Sequence, residues 1–578
     1  MAVLLAGAVM SFVPAAHAAD EPATRTELTY ATLMEGRRLG ETDLSAYAPP
    51  TDAQAPTASF EGSLRVSGRV RTRTILADKG FLSTAQIAEA RTFPSDFDYE
   101  FVQDGNVLLP VRRGYIVTDH PYWDFVLEPG RVWNEPGDHG YTRAALPFAL
   151  VQKHMNCTHY GVMTFLFRAD GSISHTSMQI SSETCKYLQF DMWGMLDAIY
   201  TPHQVSAKDA VIVAYRQNQA RRLPERPIAQ LSEDFPGVDP SQLAIGESRS
   251  RTLYGLVVHG INYVSDCPTR HGEYPYCDVL PFPSYSTAKS AEAALALMAV
   301  EQDHPGTQKL TVPQFAPVPG CESSSWHDVT LRNLLDMTTG HYDSTGYMAD
   351  EDSTKVRNFF YATMEQKKAA FSCGAYPRRA APGTTWVYHT SDTFLLGDEL
   401  NRYLRSLPGE EQADIFRDVV DAKIYKPLDL SPTAQVTRRT ADAAAQPFFG
   451  YGLQFNRDDI ARLALFIGTG GGKIDGKQVL DSHLLDLALQ RVEGHRGFVV
   501  QAYPDFRYQL GFWARDVAPI TGCHKPTWIP FMSGFGGISV VLYPNGIVYY
   551  NVADSGSPEA FNWGPSAAVV RVINDFCR

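Results

Sequence analysis

The chain has 578 residues, 44% of them hydrophobic and 20% charged, which is the make-up of roughly two to four globular domains with sizeable cores. A formal net charge of −13 leaves no basic face for phosphates and argues against nucleic acid as a partner. After the first residues, no stretch approaches the ~18 apolar residues that a membrane-spanning helix needs.

The opening stretch, "MAVLLAGAVMSFVPAAHAAD", is a short apolar run ending in Ala16-His17-Ala18. It reads as a secretory signal peptide over residues 1–18, with a buried N-terminal helix as the alternative. The mature protein is therefore expected to be secreted or periplasmic. Eight cysteines suit that compartment, because disulfides persist outside the cytosol. Sequence neighbours suggest the pairs Cys157–Cys185, Cys267–Cys277, Cys321–Cys373 and Cys523–Cys577. His154, Cys157 and His159 could be read as a metal cluster, but the even cysteine count favours a disulfide for Cys157, and no metal is expected.

A helix-like stretch from Arg25 to Arg38 and a Pro/Ala/Thr-rich linker precede a change of pattern at Phe60. From there to about Trp193 the chain alternates apolar and polar residues and breaks at Asp104-Gly105 and Asp170-Gly171, as hairpins do. Residues 19–205 are expected to form a β-rich accessory domain, read as a sandwich. From 206 to 578 the pattern is mixed. A helix from Ala207 to Arg222 leads to a strand pair in "TLYGLVVHGINYV", helices dominate from 286 to about 490, and Asn545-Gly546 joins two final strands before a last helix. The prediction is an α+β fold: an antiparallel sheet flanked by helices, plus an all-helical lobe with a cleft between them. "GTGGGK" (Gly468 to Lys473) lacks the first glycine and the closing Ser/Thr of a phosphate loop and reads as a turn.

The chemistry is expected at Ser286-Thr287-Ala288-Lys289. At a helix start, residues three apart share a face, so Lys289 can take the Ser286 proton. The helix N-terminus disfavours a charged lysine and offers N–H groups to an oxyanion. The alanine-rich sequence that follows is apolar on nearly all sides, which places the pair at the floor of a cleft. Downstream lie Tyr388-His389-Thr390 and then Leu395-Leu396-Gly397.

From near Thr252 to the end, these motifs and their order resemble the serine β-lactamase, penicillin-binding protein and esterase superfamily, in its class C-like branch. The match includes "VTLRNLLDMTTGHYDSTGY" and "YGLQFNRDDIARLALF". The resemblance implies Ser286 as nucleophile, Lys289 and Tyr388 sharing the general-base role, and substrate contacts from Thr390, Ser533, Gly534 and Phe535. The oxyanion would rest on main-chain N–H groups of Ser286 and the sheet's edge strand, with no cofactor. Two departures are evident. Thr390 stands where the family has Asn, and Met532-Ser533-Gly534 or Gly534-Phe535-Gly536 stands where Lys/His-x-Gly is usual. The missing cation favours neutral small-molecule or cell-envelope esters and amides. His389, beside Tyr388, is expected to be structural. The leading expectation is an exported serine hydrolase; a D,D-peptidase or β-lactamase, or a non-catalytic binding protein on the same fold, are the alternatives.

Overall fold

The computed structural model describes residues 26–78, 84–95, 97–312, 321, 325–554 and 561–577. The expected signal peptide lies outside the described residues.

The alternating pattern of the first half becomes ten strands in one antiparallel sheet: β1 (Glu61–Ser67), β2 (Thr72–Asp78), β3 (Phe97–Asp104), β4 (Val107–Pro110), β5 (Trp123–Leu127), β6 (Gly130–Trp133), β7 (Thr142–Gln152), β8 (Thr158–Phe167), β9 (Thr176–Thr184) and β10 (Leu188–Pro202). Asp104-Gly105 turns β3 into β4, and Asp170-Gly171 lies in the turn between β8 and β9. The expected sandwich is corrected here. β10 pairs along one edge with β9 and along the other with β1 and β2, while β1 also pairs β3, so the sheet closes on itself as a barrel. Alternation reports that one face is buried, but not whether that face is covered by a second sheet or by the same sheet curling round.

The second sheet is built from β11 (Glu225–Pro227), β12 (Arg251–Val258), β13 (Ile261–Val264), β14 (Phe498–Val500), β15 (Tyr503–Gln509), β16 (Phe512–Asp516), β17 (Trp528–Gly534), β18 (Ile538–Leu542) and β19 (Val548–Ala553). Its order is β11-β13-β12-β19-β18-β17-β16-β15-β14, antiparallel except for β11 beside β13. The β18–β19 hairpin turns at Asn545-Gly546. Between β13 and β14 the chain forms the helical lobe, including Leu295–Asp303, Glu365–Gly374, Thr390–Arg405 and Arg457–Ile467. "GTGGGK" is a turn.

Barrel and helical lobe share a core. Along β7, Leu146, Phe148 and Leu150 face the barrel lumen, whereas Ala145, Ala149 and Val151 belong to the core cluster that also holds the buried helix after Ser286. Both faces of β7 and β8 are therefore buried. Polar ties cross the same boundary. Arg270 donates to Glu183 and Asp191 at 2.7 Å each. Arg438 pairs with Asp124 and donates to the carbonyls of Val151 and Gln152. The four disulfides are Cys157–Cys185, Cys267–Cys277, Cys321–Cys373 and Cys523–Cys577, the pairs that sequence proximity suggests. No helix among the described residues is long and apolar enough to cross a membrane.

Candidate active site

Ser286 lies in a tight turn, Tyr285–Thr287, and Lys289 opens the helix that follows. That helix begins as a π-helical turn, Lys289–Ala294, and continues as α-helix Leu295–Asp303, buried along almost its whole length. Lys289 Nζ donates to Ser286 Oγ at 3.0 Å, to Thr390 Oγ1 at 3.0 Å and to the Gly450 carbonyl at 3.1 Å. Ser286 is partly exposed, while Lys289 is buried. Burial lowers the Lys289 pKa to about 8, and Glu351 pulls it back up. An amine with that pKa is in part neutral near pH 7–8, and only the neutral form can accept a proton.

Tyr388 closes the opposite side. Its ring stands 5.0 Å from Lys289 Nζ, and it packs among Trp386, Tyr508 and Trp513. Burial raises its pKa well above the usual phenol value, with a hydrogen bond to Ser286 acting the other way. The following helix, Thr390–Arg405, has His389 at its cap without a side-chain capping bond. The orphan N–H of Thr390 is met instead by Glu351 Oε2 at 2.9 Å, and the Thr390 hydroxyl donates to Glu351 Oε1. A carboxylate at that end also suits the helix dipole. Thr390 thus stands between Lys289 and Glu351, with its hydroxyl engaged on both sides.

His389 points away from the nucleophile. Its Nε2 lies 3.0 Å from Asp350 Oδ2 and its ring stacks on Tyr376 at 4.3 Å. Burial opposes its protonation, but Asp350 and Asp392 outweigh that and raise its pKa to about 9. The histidine therefore anchors the segment that carries Glu351, a structural part as the sequence suggests.

Two glycines permit the close approaches that assemble these pieces. A Cβ at Gly397 would come within 2.8 Å of the Phe449 ring, which precedes the Gly450 carbonyl bonded to Lys289. A Cβ at Gly534 would come within 2.8 Å of the Ser284 carbonyl. The strand carrying Gly534 is not the sheet's edge, as expected from sequence, but an interior strand. β16 pairs it only from Trp528 to Phe531, so Met532 to Gly534 run past that ladder and face the nucleophile turn. Met532 is buried in the core, whereas Ser533, Gly534 and Phe535 line the cavity.

That cavity, about 510 Å³, holds Ser286, Tyr388 and Thr390 together with a wall rich in rings, among them Tyr347, Phe360, Tyr451 and Trp513. Sequence reasoning missed three of its residues or supports. Glu351 sits in an acidic stretch, "ADEDSTK", which reads as a solvated loop. Lys186, from the barrel, lines the cavity with its Nζ 5.9 Å from the Phe535 ring centroid, and so brings a cation near the strand that lacks one. Asn156, also from the barrel, is buried beneath the nucleophile turn. No sequence signal joins a barrel loop to a site 129 residues later.

The family model described as Beta-lactamase matches residues 270–548. No curated protein matches the chain significantly. Among solved structures, a Bacillus anthracis protein named as a 6-aminohexanoate-dimer hydrolase is 16% identical with a TM-score of 0.43, covering 61% of this chain and 84% of that one. A D-stereospecific amidohydrolase from Streptomyces sp. is 14% identical at TM-score 0.39, covering 57% and 95%. A family VIII carboxylesterase is 14% identical at TM-score 0.37, covering 62% and 97%. The segment 270–548, which holds Ser286, Lys289 and Tyr388, is thus similar to the Beta-lactamase family, and the likenesses to solved structures add nothing to that.

Proposed function

We propose that this protein is an exported serine hydrolase that cleaves a carboxylic ester or amide through an acyl-enzyme on Ser286. The observation that carries the reading is the 3.0 Å contact between a buried Lys289 Nζ and a partly exposed Ser286 Oγ at the floor of the cavity. Four disulfides support export.

In the first step, neutral Lys289 takes the Ser286 proton as Oγ bonds to the carbonyl carbon. The N–H groups of Ser286 and Phe535 hold the oxyanion. The proton then passes from Lys289, with Tyr388 beside it, to the departing alkoxide or amine as the bond to the leaving group breaks. A water molecule gives a proton to the same pair as its oxygen bonds to the acyl carbon; the Ser286 Oγ–acyl bond then breaks, the proton returns to Oγ and the acid leaves. Glu351, bonded to Thr390, supplies the negative charge that steadies the Lys289 ammonium between these steps.

A second reading, an amidase or peptidase for substrates bearing a free carboxylate, has one observation in its favour: Lys186 in the cavity wall. The test of the main reading is intact mass after exposure to a fluorophosphonate. The wild type should gain a single adduct that Ser286→Ala does not. No adduct on either would move the assignment to a binding protein on this fold.

A further inference from the structure

The barrel is attached to the catalytic region by more than packing. Its β7–β8 loop brings Asn156 under the nucleophile turn, where the side chain is fully buried. Asn156 Oδ1 accepts from the Tyr285 N–H at 2.8 Å, from Ser284 Oγ at 3.1 Å and from the Gly452 N–H at 3.0 Å. Ser284 in turn accepts from the Leu453 N–H at 3.1 Å. One amide oxygen thus ties the segment leading into Ser286 to the segment whose Gly450 carbonyl receives Lys289. Tyr285 has φ +40°, a left-handed conformation that a residue with a side chain adopts only where its surroundings impose it. The hydrogen bond to Asn156 falls on that residue's own N–H. The loop is stapled next door by Cys157–Cys185, and beyond Cys185 come Lys186 and Tyr187 of the cavity wall.

We infer that the barrel completes the active centre, with Asn156 as a positioning residue that sets the distance between Ser286 and the Lys289–Gly450 contact. The inference takes the Ser286 reading as its starting point but concerns a different link, the dependence of that turn on a barrel side chain.

The experiment compares fluorophosphonate labelling rates of the full-length protein and three variants, each measured well below its own melting temperature. Asn156→Leu fills the site but accepts nothing, and displacement of the turn by an ångström predicts a fall of about a hundredfold. Asn156→Asp restores the acceptor and should recover at least about tenfold of that loss. Thr164→Val removes a buried bond to the Ala144 carbonyl between strands β8 and β7 of the same barrel and should leave the labelling rate alone. Wild-type labelling by Asn156→Leu, or a loss no larger than that of Thr164→Val, overturns the inference. Amide hydrogen exchange separates this from failure of the Ser286 reading. Even if the wild type does not label, protection at Tyr285 and Gly452 should drop in Asn156→Leu and persist in Asn156→Asp, and unchanged protection in Asn156→Leu overturns the inference.

Discussion

Inside the barrel, Phe60, Phe101, Phe165 and Phe167 fill the lumen, with Phe60 stacked on Tyr200 at 4.0 Å. Outside it, β7 and β8 contribute to the core cluster that also holds the helix after Ser286, and the β7–β8 and β9–β10 loops reach the cavity. The lumen is a core and the outer wall is an interface. A closed barrel is often a container, but here the chemistry-bearing side chains sit on loops beyond its rim. The barrel thereby lines a cavity whose Ser286 lies in the other half of the chain. Deleting the barrel would leave apolar and uncovered the core residues of the other half that cluster with the outer face of β7 and β8.

The comparison breaks most sharply if lumen and interface are damaged by equal amounts. Phe165→Ala empties part of the lumen and should cost about 3–5 kcal/mol of stability. Asp124→Ala strips the partner from the buried Arg438 guanidinium and should cost a similar ~3–5 kcal/mol. Chemical denaturation should show both losses. Labelling of Ser286 should separate them, because the Arg438 N–H donates to the carbonyl of Gly452 at 3.0 Å, in the segment beside the site. The expectation is roughly a tenfold slower rate for Asp124→Ala and an unchanged rate for Phe165→Ala. Equal rates in the two variants would mean that the interface carries stability alone.

The same contrast explains what the sequence reveals. Ser286, Lys289 and Tyr388 are legible because a local spacing fixes the first pair and a short motif carries the third; the structure places Ser286 and Tyr388 in one cavity, with Lys289 buried 3.0 Å from Ser286 Oγ. Disulfide partners are legible because each pair is near in sequence. Hairpins follow from Asp-Gly and Asn-Gly turns, whose left-handed residues suit glycine. Barrel closure is not legible, since it depends on which strand β10 meets on its second edge. Asn156, Lys186 and Glu351 are hidden for a related reason. Each acts across a long stretch of chain and carries a residue type that is common on surfaces. Thr390 and Met532, read as losses from the family pattern, have counterparts in space: Glu351 bonds the first, and Lys186 approaches the strand that holds the second.

A smaller effect is expected where the catalytic half acts on itself. Labelling of the wild type should rise with pH through about 8 as Lys289 loses its proton. Glu351 holds Lys289 in its charged form, so Glu351→Gln should move that midpoint down by about one unit. Below pH 7 the variant would then label faster than the wild type at the same Ser286, while above pH 9 the two would converge. A midpoint that stays at about 8 would show that Glu351 serves only to cap the Thr390 helix.

The smallest expected effect lies on the barrel side of the cavity. Lys186 is the barrel's cation there, and Asp352 is close enough for its carboxyl, raised by burial, to be drawn back down by Lys186. Lys186→Met should therefore raise KM several-fold for esters with an anionic acyl or leaving group and leave KM for neutral esters within about twofold, with kcat unchanged for both, since a partly exposed ion pair contributes about 1 kcal/mol or less. An equal change for both substrate classes would assign Lys186 to pairing with Asp352 and leave neutral esters as the preferred class. A selective change would extend the barrel's part from holding the nucleophile turn to choosing what reaches it.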